Sequence, residues 1–63
     1  MGNRVKIKTD TVYDSEGVPV SIRPGAVGRI VEVSDGWAQV LVKFTDGIDL
    51  LGVDECHLEE INE

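Results

Sequence analysis

Trp37-Ala38-Gln39-Val40-Leu41-Val42-Lys43-Phe44 decides the reading of this chain. Side chains on a strand alternate faces with a period of two, so Ala38, Val40, Val42 and Phe44 share one side and Trp37, Gln39, Leu41 and Lys43 the other. The first set is apolar throughout and is assigned to the core. The second is mixed, which leaves Trp37 and Leu41 facing outward.

Working outward, Ser34-Asp35-Gly36 precedes this strand and offers the residues that tolerate a left-handed backbone in a tight hairpin. Before it, Val27 to Ser34 is dense in β-branched residues and is expected to be the preceding strand. On the other side, Thr45-Asp46-Gly47 repeats the turn chemistry and leads into a strand at 48–53, expected to point Ile48 and Leu50 inward with Asp49 outward. Residues 4–9 alternate Arg4, Lys6 and Lys8 with Val5 and Ile7 and give a first strand. Residues 10–25 hold both prolines with Asp, Ser and Gly, and are expected to form a long loop or irregular hairpin. Near the end, Asp54 is a suitable N-cap for one 3₁₀ turn, followed by a short strand at 58–61. Pairing of the first and last strands would set Glu59, Glu60 and Glu63 near Arg4, Lys6 and Lys8 and close the sheet, protecting most of its edges. The expected architecture is all-β: one domain over 1–63, a small five-stranded antiparallel barrel with a long loop after strand one and a 3₁₀ turn before the last strand.

The motif Arg23-Pro24-Gly25-Ala26-Val27-Gly28-Arg29-Ile30-Val31-Glu32-Val33, the segment Val40-Leu41-Val42-Lys43-Phe44 and the terminal Leu58-Glu59-Glu60-Ile61 resemble the small bacterial SH3-like barrels, including KOW domains. The likeness covers roughly residues 4–61. It implies that the loop around Gly25 and Gly28 meets RNA or protein, with the glycines serving positive φ or close backbone approach. Small subunits of photosynthetic electron-transfer complexes look similar, and imply an assembly role. Val12-Tyr13-Asp14 and the Trp37 that follows Asp35-Gly36 resemble signalling SH3 domains, which imply a peptide groove, although no second Trp and no late Pro or Tyr completes it. A plasmid-borne dihydrofolate reductase built from four such barrels is similar in scale, but its pore segment has no counterpart here.

Composition narrows the function. A chain of 63 residues buries only about 60% of its unfolded surface. No apolar run approaches the roughly 20 residues of a membrane-spanning helix, and the first ten residues lack a signal-peptide core, so a cytoplasmic location and no membrane insertion are expected. Cys56 is the one cysteine and cannot close an intramolecular disulfide. Net charge is −6, with five basic and three acidic residues in 1–31 and one basic and nine acidic in 32–63. Nucleic acid is therefore a poor default partner, because its phosphates are held by Lys and Arg.

Catalysis finds no support. Cys56 and His57 adjoin, and neighbours on a strand face opposite ways, so a half-buried cysteine beside a surface histidine is expected rather than a nucleophile and its base. Two Cys or His residues fall short of a structural zinc set, and Asp46, Asp49, Asp54 and Glu55 do not follow a calcium-loop spacing. No enzyme, cofactor or metal is expected. The leading expectation is a protein-interaction or assembly module, with Trp37, Leu41 and Tyr13 as anchors and Asp46, Asp49, Asp54 and Glu55 steering a basic partner; self-association through the central strand is part of it. The alternatives are a nucleic-acid-binding domain using Arg23, Arg29, Lys6 and Lys8, or a small subunit of an oligomeric enzyme or electron-transfer complex. A different expectation for Trp37 is that it lids the open end of the barrel.

Overall fold

The computed structural model describes residues 4–61. Seven strands run in chain order: β1 (Arg4–Ile7), β2 (Thr11–Tyr13), β3 (Pro19–Ser21), β4 (Val27–Ser34), β5 (Trp37–Phe44), β6 (Gly47–Asp54) and β7 (Leu58–Glu60), with a 3₁₀ turn at Glu55–His57. They form one antiparallel sheet in the order β3-β2-β6-β5-β4-β1-β7. The fold is all-β as expected, with seven strands in place of five and an open sheet in place of a closed one.

The central meander follows the sequence closely. Asp35 (φ 55°) and Gly36 (φ 78°) form a two-residue turn with both residues left-handed, the backbone that matches strand twist, and Ser34 pairs with Trp37 across it. β4 carries a bulge at Val31, where the register steps from Ile30 opposite Val40 to Glu32 opposite Gln39. Ala38, Val40 and Val42 are buried and Phe44 is half-buried, so the core face of β5 stands. Gly28 lies opposite Val42 so tightly that a Cβ there would meet Val40 Cγ1 at 2.5 Å and the Leu41 carbonyl at 2.8 Å. Gly25, at φ 95°, supplies the left-handed turn into β4.

β6 departs from expectation. The two-residue connection Thr45-Asp46 pairs Phe44 with Gly47, which places Ile48 opposite Lys43 and Leu50 opposite Leu41. Residues directly opposite share a face, so Ile48 and Leu50 point outward and Leu51 and Val53 enter the core.

Residues 10–25 contain the β2–β3 hairpin, the irregular-hairpin alternative rather than a long loop. Asp14 organises its turn by accepting hydrogen bonds on Oδ1 from the amides of Glu16 (2.8 Å) and Val18 (2.9 Å). Pro19 sits on an edge strand, where its missing N–H is tolerated.

β1 ends at Ile7, short of residue 9, and pairs with β7 as expected: Lys6 lies opposite Glu59 and Val5 opposite Glu60. This pairing adds an edge strand rather than sealing the sheet, so β3 and β7 remain as edges. The expected position of Glu63 falls outside the described residues. Asp54 caps the 3₁₀ turn, accepting from the Cys56 amide at 3.1 Å.

The sheet is strongly curled. β1 and β2 are separated by three strands, about 19 Å if flat at ~4.8 Å per strand, yet Val5, Ile7 and Val12 pack in one core with Val40, Leu51 and Val53. Its inner face holds that core; its outer face meets solvent.

Candidate protein-interaction face

The outer face can be followed row by row from the strand register. One row runs Arg4, Arg29, Leu41, Leu50 across β1, β4, β5 and β6. The next, toward the Asp35-Gly36 turn, runs Glu32, Gln39, Gly52, Tyr13 across β4, β5, β6 and β2. The row beyond holds Ser34, Trp37 and Asp54.

Trp37 and Tyr13 belong to different strands but meet here, their ring centroids 5.8 Å apart and tilted by 39°. What brings them together is Gly52. A Cβ at that position would fall 2.7 Å from Trp37 Cζ2 and 2.8 Å from Nε1, so only a glycine lets the indole lie against the β6 backbone. The rings wall an open groove of about 580 Å³, floored by Gly52, Leu50 and Gln39 and closed on one side by the Asp14-to-Gly17 turn. Trp37 is 40% exposed and Tyr13 38%, and both stand on the outer side of the sheet.

Beside the ledge lies an apolar strip. Leu41 and Leu50 oppose each other directly and Ile48, 60% exposed, continues the line. Of the expected anchors, Tyr13, Trp37 and Leu41 thus share one face. Leu50 and Ile48 belong with them; the two-residue β5–β6 connection held the signal, since it aligns Ile48 with outward-facing Lys43.

Of the expected acidic residues, Asp46 and Asp49 do not join them. Asp46 sits in the turn at the far end of β5, seven residues from the ledge or more than about 20 Å along the strand. Asp49 lies opposite Val42, on the inward side of the ladder at its exposed end. Asp54, expected among the acidic residues, does border the ledge opposite Trp37, and Asp14 joins it in the groove wall.

The expected nucleic-acid residues line the β1–β4 side. Lys6 and Arg29 are on the outer face. Lys8 leaves β1 beside the turn bearing Arg23, which is tied down by Gly25 N–H donating to the Ile7 carbonyl and Ile7 N–H to the Ala26 carbonyl, both at 2.8 Å. Glu59 opposes Lys6 within that set.

Cys56 is exposed, not half-buried, and lies with His57 in the 3₁₀ turn. Its hydrogen bond with the Asp54 carboxylate pushes the thiol up from its ordinary value, while the same neighbourhood, led by the Cys56 amide, holds Asp54 below the usual carboxylate range. A raised thiol carries little thiolate at neutral pH, the opposite of what a nucleophile needs. Among the described residues no cluster of His, Cys, Asp or Glu could hold a metal ion, and no helix is long and apolar enough to cross a membrane. Compared with known proteins, the chain matches no family model, no curated protein and no solved structure.

Proposed function

We propose that this chain is a non-enzymatic protein-interaction or assembly module that docks through the outer face of β5 and β6. The observation that carries this reading is the Tyr13–Trp37 ledge seated on Gly52, next to the exposed Leu41–Leu50 pair. Aromatic side chains held rigid and half-exposed lose little conformational freedom on binding and bury large areas, which makes them the usual energetic centres of interfaces. Asp14 and Asp54 at the margin favour a partner that brings cations. For the fold, the SH3-like reading is supported by the sequence of elements: an excursion after the first strand, a three-strand meander, a 3₁₀ turn and a short last strand beside the first.

The nucleic-acid reading rests on Arg23, Arg29, Lys6 and Lys8 along one side. It is the weaker one, because net charge is −6 and Glu59 directly opposes Lys6.

The test is affinity capture with the wild type and Trp37→Ala side by side, with circular dichroism confirming that both are folded. A protein retained by the wild type should lose about tenfold or more in affinity with the variant. Equal retention by both would overturn the reading.

A further inference from the structure

β6 is paired along its whole length on one side only. Against β5 it runs from Gly47 to Asp54, whereas on the other side β2 meets it at the single pair Tyr13–Gly52. Phe44 and Gly47 close a two-residue connection, where facing residues exchange both main-chain hydrogen bonds, and along an antiparallel ladder every second pair does the same. Asp49 and Leu51 therefore turn their amides and carbonyls toward β5, and Ile48, Leu50 and Gly52 turn theirs away. Gly52 meets Tyr13. The groups of Ile48 and Leu50 meet no strand among the described residues, so this stretch is an open strand edge within the sheet.

Space for a further strand lies beside it. On the inward side is an open hollow of about 520 Å³, lined by Val20 and Ser21 of β3, by Phe44 and Thr45, and by Asp46 and Asp49. Val20 and Phe44 make its walls apolar and the two carboxylates make it negative, which suits a long cationic side chain with its apolar stem and charged tip. On the outward side Ile48 and Leu50 are exposed apolar neighbours. A second β6 is a poor occupant, because the register that uses Ile48 and Leu50 of both copies sets Asp49 against Asp49. Within this chain the basic and apolar alternation of Arg4 to Ile7 is already flanked by β4 and β7. We infer that an extended segment of a basic partner protein adds a strand to β6 at Ile48 and Leu50, its Lys or Arg entering the hollow toward Asp46 and Asp49 and its alternate, apolar side chains lying beside Ile48 and Leu50. The inference rests on the docking reading and adds the main-chain contact through which the partner attaches.

The probe is a capped peptide alternating Val and Lys over about six residues, the usual length of a strand. At saturation it should slow hydrogen exchange of the Ile48 and Leu50 amides, followed by NMR, by about tenfold or more, since both pass from water to a ladder carbonyl. The same peptide N-methylated at its valines cannot donate to the β6 carbonyls and should bind about tenfold or more weaker. Asp49→Lys, at an exposed side chain, should exchange the preference, weakening the Val-Lys peptide and accepting an alternating Val-Glu peptide that the wild type rejects. Exchange at Ile48 and Leu50 that the Val-Lys peptide leaves unchanged overturns the inference, as does equal binding of that peptide by the wild type and Asp49→Lys. If a captured partner is still lost with Trp37→Ala in that event, only the strand addition falls and the docking face stands.

Discussion

Leu50 and Leu51 are the same side chain one residue apart, and they live in different solvents. Leu51 opposes Val40 and is 2% exposed, inside a core shared by β1, β2, β5 and β6; Leu50 opposes Leu41 and is 38% exposed, on the floor of an open groove. Nothing in their own chemistry separates them. The difference is set by register, and register by the two-residue connection that pairs Phe44 with Gly47. One face of β6 serves stability and the other is free to serve recognition.

The largest expected effect breaks the inner side. Leu51→Ala removes buried methyl groups from a core with few side chains, so it should cost about 2–5 kcal/mol in urea-induced unfolding. Leu50→Ala should cost about 1 kcal/mol or less in dilute solution. Similar losses at the two positions would mean that the register is wrong.

The glycines sharpen the same contrast. At Gly28 an added Cβ would strike Val40, Val42 and the Leu41 carbonyl, which are core side chains and backbone with nowhere to go; Gly28→Ala should cost about 1–3 kcal/mol. At Gly52 the added methyl would strike only the Trp37 ring, which has solvent to move into. Gly52→Ala should therefore be less destabilising but should shift the emission of the chain's one tryptophan to longer wavelength as the indole leaves its seat. An unshifted spectrum would show that Trp37 does not rest on Gly52.

These pairs also show where the amino-acid sequence speaks clearly. β5 announces its core face because Ala38, Val40 and Val42 are all apolar on one side, and Asp35-Gly36 announces its turn because few other residues accept two consecutive left-handed positions. The Asp54 cap, the 3₁₀ turn and the β1–β7 pairing are legible for similar local reasons. β6 misleads. Ile48-Asp49-Leu50 alternates as a buried strand would, yet the apolar pair faces outward, and only the turn length tells the two apart. β2 and β3 are three residues each, too short for a period to establish itself, and their turn depends on an Asp14 side chain rather than a backbone preference. Trp37 and Leu41 are legible as outward-facing because they alternate with the apolar set of β5, whereas Tyr13 lies in the 10–25 stretch, which shows no period to give it a face. The seat beneath the indole is not legible, because a glycine in a strand carries no sign of what lies against it.

The smallest effect lies where the two faces of β6 end, at Val53 inward and Asp54 outward. Asp54 is fully exposed, and its carboxyl is held low chiefly by the hydrogen bond from the Cys56 amide. A carboxyl depressed in the folded state binds its proton less readily there than in the unfolded chain, so the unfolded state holds more protons as acid is added. The resulting stabilisation is complete above the unfolded value, near pH 4, and disappears as pH falls through the lower folded value. Asp54→Asn keeps an oxygen that can cap the 3₁₀ turn but carries no titrating charge. Thermal melting from neutral pH downward should find the wild type slightly more stable at neutral pH, with the two curves converging in the acid range. A gap that persists or widens at low pH would place the contribution of Asp54 in its shape rather than in its charge.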